Sequence, residues 1–360
     1  MQPDEEGFLY PSVDSALCVD CGQCEKRCPA NRQPAENKPI AFCAQNTNKT
    51  VRVASSSGGI FSALARETLN DGGVVFGAVF DPDWKVEHVG AITEQEIAAM
   101  RGSKYVQSDA AEAIGHAAEL VRKEVPVLFS GTPCQVAGLY ALLGEKKLEN
   151  LTTVDFVCHG VPSPSVFRSY LEELQSSHGS PIVSYSFRDK RRGWRDFSAV
   201  ATFRDRSICS GTQREDPFLV GFLANLYLRP SCHGCTGLRN GNHPADLTLA
   251  DFWGAERILT EKDDDTGLSL VFANTKKGMD RLQLMHQIER NAVSDLSPLY
   301  TANPSILSPA PPHDNRERFF RRFRKHGFRA KEIMWLVKPK NNLIMRALRK
   351  LRRMLRKMAK

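Results

Sequence analysis

Apolar positions recur along the chain with two periods. From Ile60 to Leu69 they keep a helical spacing, and Val74-Val75-Phe76-Gly77-Ala78-Val79-Phe80 is an apolar run of strand length. From Val125 the pattern reads strand, turn, helix, strand, helix. Val125 to Phe129 and Thr152 to Val157 are the strands, with helices over Val136 to Leu143 and Val166 to Leu174. Strands separated by a helix predict a right-handed βαβ unit with parallel neighbours. Residues 1–32 lack apolar periodicity, no internal repeat is visible, and the Pro/Ser-rich stretch from Ser305 to Pro312 reads as a linker.

At 360 residues, 41% hydrophobic and 25% charged, the composition is that of an ordinary globular protein. No apolar run reaches the roughly 18 residues of a membrane-spanning helix. The opening Met1-Gln2-Pro3-Asp4-Glu5-Glu6 is acidic, unlike a signal peptide, so a cytoplasmic location is expected. The ten cysteines then point to metal or redox roles rather than disulfides.

Charge is unevenly spread. The net charge is +8, yet Arg316 to Lys360 holds 18 Lys and Arg against Glu317 and Glu332, leaving the first 315 residues at −8. An acidic body with a basic tail argues against a specific nucleic-acid surface. Within the tail, Leu343, Ala347, Leu348, Leu351, Met354, Leu355 and Met358 fall at helical spacing among Lys and Arg. The expectation is a cationic amphipathic helix that lies on an anionic membrane or a partner; a solvated helix is the alternative.

Cys18-Val-Asp-Cys21-Gly-Gln-Cys24-Glu-Lys-Arg-Cys28-Pro29 has the C-x2-C-x2-C-x3-C-P spacing of bacterial 4Fe–4S ferredoxins, with a zinc knuckle as the alternative. Three thiolates two residues apart can wrap one face of a cubane, and Gly22 allows the turn. In two-cluster ferredoxins the fourth cysteine serves the other cluster. Residues 1–11 resemble the linker between two such runs, so the expectation is a first run missing upstream. Otherwise Cys28 folds back as the fourth ligand, with Cys43 a further candidate.

Cys134 and Cys158 each follow the C-terminal end of an expected strand, where α/β proteins place their sites. Cys232 and Cys235 form a C-x2-C pair in a loop. Together they make a second 4Fe–4S ligand set. The alternative has Cys134 and Cys158 as buried small hydrophobes, and Cys232 and Cys235 binding zinc with His233 or His243. Cys209 reads as a structural residue in a strand.

Several ordered motifs carry a family resemblance. They are Gly131-Thr132-Pro133-Cys134-Gln135, Cys158-His159-Gly160-Val161-Pro162-Ser163, Phe187-Arg188-Asp189-Lys190 with Gly193-Trp194, Leu228-Arg229-Pro230-Ser231-Cys232, and Asp246-Leu247-Thr248-Leu249-Ala250-Asp251-Phe252-Trp253-Gly254. This string resembles the C-terminal domain of the coenzyme F420 hydrogenase/dehydrogenase beta subunit family. Ala54-Ser55-Ser56-Ser57-Gly58-Gly59-Ile60-Phe61 and Gly102 to Ser108 look like its N-terminal domain. The single cysteine run departs from the family pattern, as does Ala250, where relatives more commonly carry glycine.

The resemblance implies an α/β fold (α+β overall) with a mixed sheet and βαβ units. A partial ferredoxin-like module would occupy 1–35, the family's two domains 38–118 and 119–300, and a basic helical tail 313–360. It implies a flavin, usually FAD, beside a 4Fe–4S cluster, and an oxidoreductase or electron-transfer subunit working with a redox partner protein or ferredoxin. The small-molecule acceptor is unidentified; some relatives' genes lie among those for cell-surface polysaccharide synthesis. With it, Ser56, Ser57, Gly58 and Gly59 become candidates for flavin phosphate or ring contact at a helix N-terminus, where a plain N-cap is the alternative. Lys104, Tyr105 and Thr132 are further cofactor candidates. Asp246 and Asp251 would orient polar flavin or cluster groups, or act as caps and ion-pair partners. Arg188, Lys190, Arg191, Arg192 and Arg195 would bind an acidic cofactor or partner, or form a solvated hairpin. His159 is a weak proton-relay candidate.

Overall fold

The computed structural model describes residues 1–31, 38–144, 148–235, 242–259 and 264–338. A small hairpin, β1 (Gln2–Pro3) and β2 (Leu9–Tyr10), opens the chain. Then follow β3 (Ile40–Asn46), β4 (Val74–Phe80), β5 (Val86–Ala91), β6 (Ser108–Asp109), β7 (Val127–Ser130) and β8 (Leu151–Phe156). A second group comprises β9 (Ile182–Asp189), β10 (Ser198–Phe203), β11 (Ile208–Thr212), β12 (Leu247–Asp251), β13 (Ser269–Ala273) and β14 (Ile288–Val293). Nine of these form one mixed sheet in the order β14-β3-β13-β12-β8-β7-β4-β5-β6, and β11-β10-β9 form a separate antiparallel sheet.

The expected βαβ unit is present. β7 and β8 pair in parallel, joined by the helix Pro133–Leu143, and β12 adds parallel to β8. Burial on both sheet faces explains why these strands read as continuous apolar runs. Along β7, Val127 and Phe129 face the helices Ala111–Arg122 and Pro133–Leu143, while Leu128 faces the helix Ile60–Asn70. Alternation within the strand divides a single run between two cores. The chain therefore has the α/β architecture expected of it.

Both flanks of the chain differ from expectation. Residues 1–10 pack into the body rather than forming a linker. Phe8 is fully buried against Phe320, the Leu9 N–H donates to Gln107 Oε1 at 2.8 Å, and Glu6 pairs with Arg316. The stretch from Ser305 to Pro312 is also seated, with Ile306 and Ala310 buried. Beyond it, helices Arg316–His326 and Ala330–Val337 bury Phe319, Phe320, Ile333 and Leu336 in the same core as Phe8. The basic charge of this segment thus rides on the outer side of helices whose apolar side chains close the core. The amphipathic pattern from Leu343 to Met358 lies outside the described residues. No helix among the described residues is long and apolar enough to cross a membrane.

Because Phe8 anchors the hairpin, Phe8→Ala is expected to lower the unfolding free energy by about 3–5 kcal/mol, measured by chemical denaturation.

Candidate functional site

Parallel pairing puts the C-terminal ends of β7, β8 and β12 at one edge of the sheet, and three segments with chemistry leave from that edge. After β7 comes Thr132, the N-cap of the helix carrying Cys134 in its first turn, with Pro133 suited to that turn by its fixed φ. After β8 comes Cys158. The third departure, at the end of β12, is Asp251.

The loop after β8 is sewn to the loop bearing the remaining cysteines. Pro162 bridges to Leu228, and the Arg229 N–H donates to Val161 O at 2.9 Å. Gly160 makes this approach possible: its φ is +119, and a Cβ there would meet Leu228 Cδ1 at 3.0 Å and Cys232 Cβ at 3.2 Å. The result brings Cys134, Cys158, Cys232 and Cys235 into one electrostatic neighbourhood. Burial pushes the Cys158 thiol well above its ordinary range, and Cys232, Cys134 and Cys235 push it further. Burial raises Cys232 to about 11, with added contributions from Cys134 and Cys235. Against this trend, the backbone at Gly160 and Val161 favours the thiolate forms of Cys158 and Cys232.

Cys134 is exposed and Cys158, Cys232 and Cys235 are half-buried, and four neighbouring thiols do not all ionise readily without a compensating positive charge. Backbone groups that favour charge on sulfur suit an iron–sulfur ligand set, since such clusters accept hydrogen bonds at sulfur. Among the described residues no three His, Cys, Asp or Glu groups converge closely enough for a single metal ion. His243 does not join the cysteines; its Nδ1 lies 3.1 Å from Asp155 Oδ2, both groups buried. His233 Nδ1 is 2.8 Å from Ala310 O. The donor chemistry fits a multinuclear cluster better than a mononuclear ion.

At the N-terminus, Cys18, Cys21 and Cys24 are exposed and Cys28 is half-buried. Gly22 has φ +65 at the start of the helix Gln23–Arg27, supplying the turn the motif needs. Arg27 Nη1 donates to Ala141 O at 3.1 Å, docking the module on the C-terminal end of the helix whose first turn bears Cys134. Cys43 is buried in β3, within a different core cluster, and Cys209 is exposed on the edge strand β11.

The cofactor candidates fall into three groups. Ser56, Tyr105 and Asp251 meet around Arg188, one of the five cations for which an acidic-group site or a solvated hairpin was expected. Its guanidinium binds Asp251 through two contacts of 2.8 and 3.0 Å, and donates to Tyr105 Oη at 3.0 Å and Ser56 O at 3.1 Å. It is buried, sits 4.0 Å over the Phe197 ring, and its pKa is raised despite burial by the Asp251 carboxylate and Tyr105. Trp194 Nε1 donates to Asp251 Oδ1 at 3.1 Å while its ring stacks on Trp253 at 4.5 Å. Arg191, Arg192 and Arg195 do form the exposed hairpin, paired with Asp189, Glu215 and Asp265.

The second group is tied up internally. Ser56 Oγ lies 2.8 Å from Ser103 Oγ, Ser57 Oγ donates to Leu268 O at 2.6 Å, and the Gly58 N–H donates to Ser269 Oγ at 2.9 Å. Gly59 caps the helix Ile60–Asn70. The Lys104 ammonium donates to the Ala99, Met100 and Arg101 carbonyls at the end of the helix Glu94–Met100, and burial lowers its pKa to about 7. Lys190 likewise donates to the Arg52, Ser57 and Thr266 carbonyls. The third group is Asp246 alone, at the opposite end of β12 from Asp251. It accepts from the Thr153 N–H and Oγ1 and from Thr275 Oγ1, and pairs with Lys277. His159 packs edge-on against Phe222 with its Nε2 buried and unpartnered.

Deleting one member of the buried pair leaves its partner uncompensated. Arg188→Met should cost about 3–5 kcal/mol, and the double variant with Asp251→Leu should lose less than the summed singles, read from denaturation midpoints. His88, which stacks on Phe129, is held neutral by burial, its pKa lowered to about 4 from 6.5. The unfolded chain takes up that proton first as pH falls, so the group's contribution to stability is lost between about 6.5 and 4. Urea midpoints across this range should flatten in His88→Gln.

No curated protein matches the chain. A solved structure of the F420-reducing [NiFe] hydrogenase complex from Methanosarcina barkeri contains a similar chain, at 20% identity and TM-score 0.51, covering 76% of this chain and 89% of that one. At that identity the likeness shows the fold. Two family models of the coenzyme F420 hydrogenase/dehydrogenase beta subunit match as well, the N-terminal one over residues 41–115 and the C-terminal one over residues 126–298. Together they span more than half of the sequence, and the chain belongs to the coenzyme F420 hydrogenase/dehydrogenase beta subunit family.

Proposed function

We propose that this chain is an iron–sulfur oxidoreductase, or the electron-transfer subunit of one, moving electrons between 4Fe–4S clusters and a flavin or deazaflavin-type acceptor. The convergence of Cys134, Cys158, Cys232 and Cys235 from three separate segments carries the proposal. Separately, Cys18, Cys21, Cys24 and Cys28 are the ligand run for an N-terminal cluster. A bound cluster would supply reversible one-electron storage. The protein's part is to bring four thiolates together at the sheet edge, with the Gly160 and Val161 backbone favouring charge on sulfur at Cys158 and Cys232.

The contact of Arg27 with the helix Pro133–Leu143 supports an electron path from the N-terminal run to the second cysteine set. Exposed Val13, Leu17 and Val19 flank Cys18 and Cys21, a surface suited to a redox partner protein. FAD would lie near Ser56, Tyr105 and Asp251, which Arg188 gathers. A link to cell-surface polysaccharide synthesis rests on the family resemblance alone.

A second reading has its own support. The hydroxyls of Ser56 and Ser57 and the ammonium of Lys104 already bond protein groups, which favours a carrier that feeds a partner enzyme without its own flavin. Anaerobic purification with iron, sulfide and flavin measured on one sample separates the readings. Stoichiometric flavin that bleaches on reduction supports the enzyme; clusters without flavin support the carrier. Cys158→Ser should remove about one cluster's iron while leaving the N-terminal cluster in place, and a variant that keeps all its iron would overturn the buried site.

A further inference from the structure

A chain of hydrogen bonds runs from Cys134 to a buried histidine that no step above uses. Thr132 Oγ1 lies 3.0 Å from Cys134 Sγ and 3.0 Å from Gln135 Oε1. The same amide oxygen accepts the Thr132 N–H at 2.8 Å. Gln135 Nε2 donates to Ser108 Oγ at 2.9 Å, Ser108 Oγ lies 2.9 Å from His88 Nδ1, and His88 Nε2 lies 3.0 Å from Ser130 O.

Donor and acceptor roles along this chain follow from its far end. Ser130 O can only accept, so Nε2 of the neutral His88 carries the ring proton and Nδ1 accepts from the Ser108 hydroxyl. Having given its proton to the ring, Ser108 Oγ must accept from Gln135, which fixes the amide with its NH2 toward Ser108 and Oε1 toward Thr132. Thr132 therefore faces two acceptors with one hydroxyl proton. While Cys134 is a thiol, its S–H can donate to Thr132 Oγ1 and the hydroxyl to Gln135. Once Cys134 is a thiolate, sulfur needs a donor. Gln135 Oε1 keeps the Thr132 N–H, so the hydroxyl can turn to sulfur without stranding a buried acceptor.

Resting on the function proposed above, we infer that Thr132 is a positioning residue that donates a hydrogen bond to the Cys134 sulfur, with Gln135, Ser108 and His88 fixing its surroundings, and so raises the reduction potential of the cluster Cys134 would hold. A donor at sulfur stabilises the more negative, reduced state.

The test is an EPR-monitored redox titration of the full-length, anaerobically purified protein, comparing Thr132→Val and Thr132→Ser with the parent. The valine form keeps the shape and removes the donor; it should lower the potential of one cluster by three- to tenfold in its reduction equilibrium, tenfold being about 59 mV for one electron. Serine should keep the parent potential, and the N-terminal cluster serves as the unmoved reference. Pulsed EPR after exchange into D2O should show one exchangeable proton coupling in the parent and in Thr132→Ser that is missing in Thr132→Val. Should the valine form fail to load, that coupling in the parent is compared with Thr132→Ala instead. Clusters present with no shift and no lost coupling would overturn the role of Thr132 alone. Parent protein whose iron content does not depend on Cys158 would overturn the functional reading together with it.

Discussion

Mutual repulsion among neighbouring thiols sets the terms for this site. Cys158 and Cys232 are half-buried, and the pKa of each is raised by desolvation and then by the neighbouring cysteines. Such an arrangement is unfavourable for free thiolates and has no value as plain packing, because four small apolar side chains would fill the space with none of the cost. A bound metal cluster would neutralise the sulfurs and make it favourable. Gly160 shows how closely the loop is drawn, since a Cβ there would crowd Leu228 and Cys232 at 3.0 and 3.2 Å.

Buried and half-buried cations tie several segments together. Arg188 reaches from β9 to Asp251 at the end of β12 and to the loops carrying Ser56 and Tyr105. A planar cation with several donors can hold three segments at once, a task a lysine could not perform in the same plane. Lys104 and Lys190 instead bind backbone carbonyls, clamping a helix end and two loops. Charges that looked available for an anionic ligand are thus largely committed to holding the frame.

Much of this was legible in the sequence. Runs of apolar residues at Val74, Val125 and Thr152 marked real strands because those strands are buried on both faces, and the spacing between the last two correctly implied parallel neighbours. Placing Cys134 and Cys158 just past two such strands was enough to put them on one edge. Less visible were interactions between distant segments. Nothing local distinguishes Arg188 from Arg191 or Arg192, yet one is buried and two are exposed. Asp246 and Asp251 look equivalent in one motif, but five residues along a strand carried them to opposite ends of it. The opening hairpin resembled a linker because a single phenylalanine, with no periodic companions, does the anchoring.

That anchoring has a bearing on how the protein comes into being. Glu6 finds its partner at Arg316 and Phe8 at Phe320, among the most widely separated contacts in the described chain. On a ribosome the hairpin has no seat until nearly all of the described polypeptide has emerged, and pairings of such long range are slow to form. During that interval the cysteine run just behind the hairpin has only local structure to shield it. The Cys18 to Cys28 run is thus open to its surroundings early, whereas Cys134, Cys158, Cys232 and Cys235 meet only after more than half of the chain has emerged.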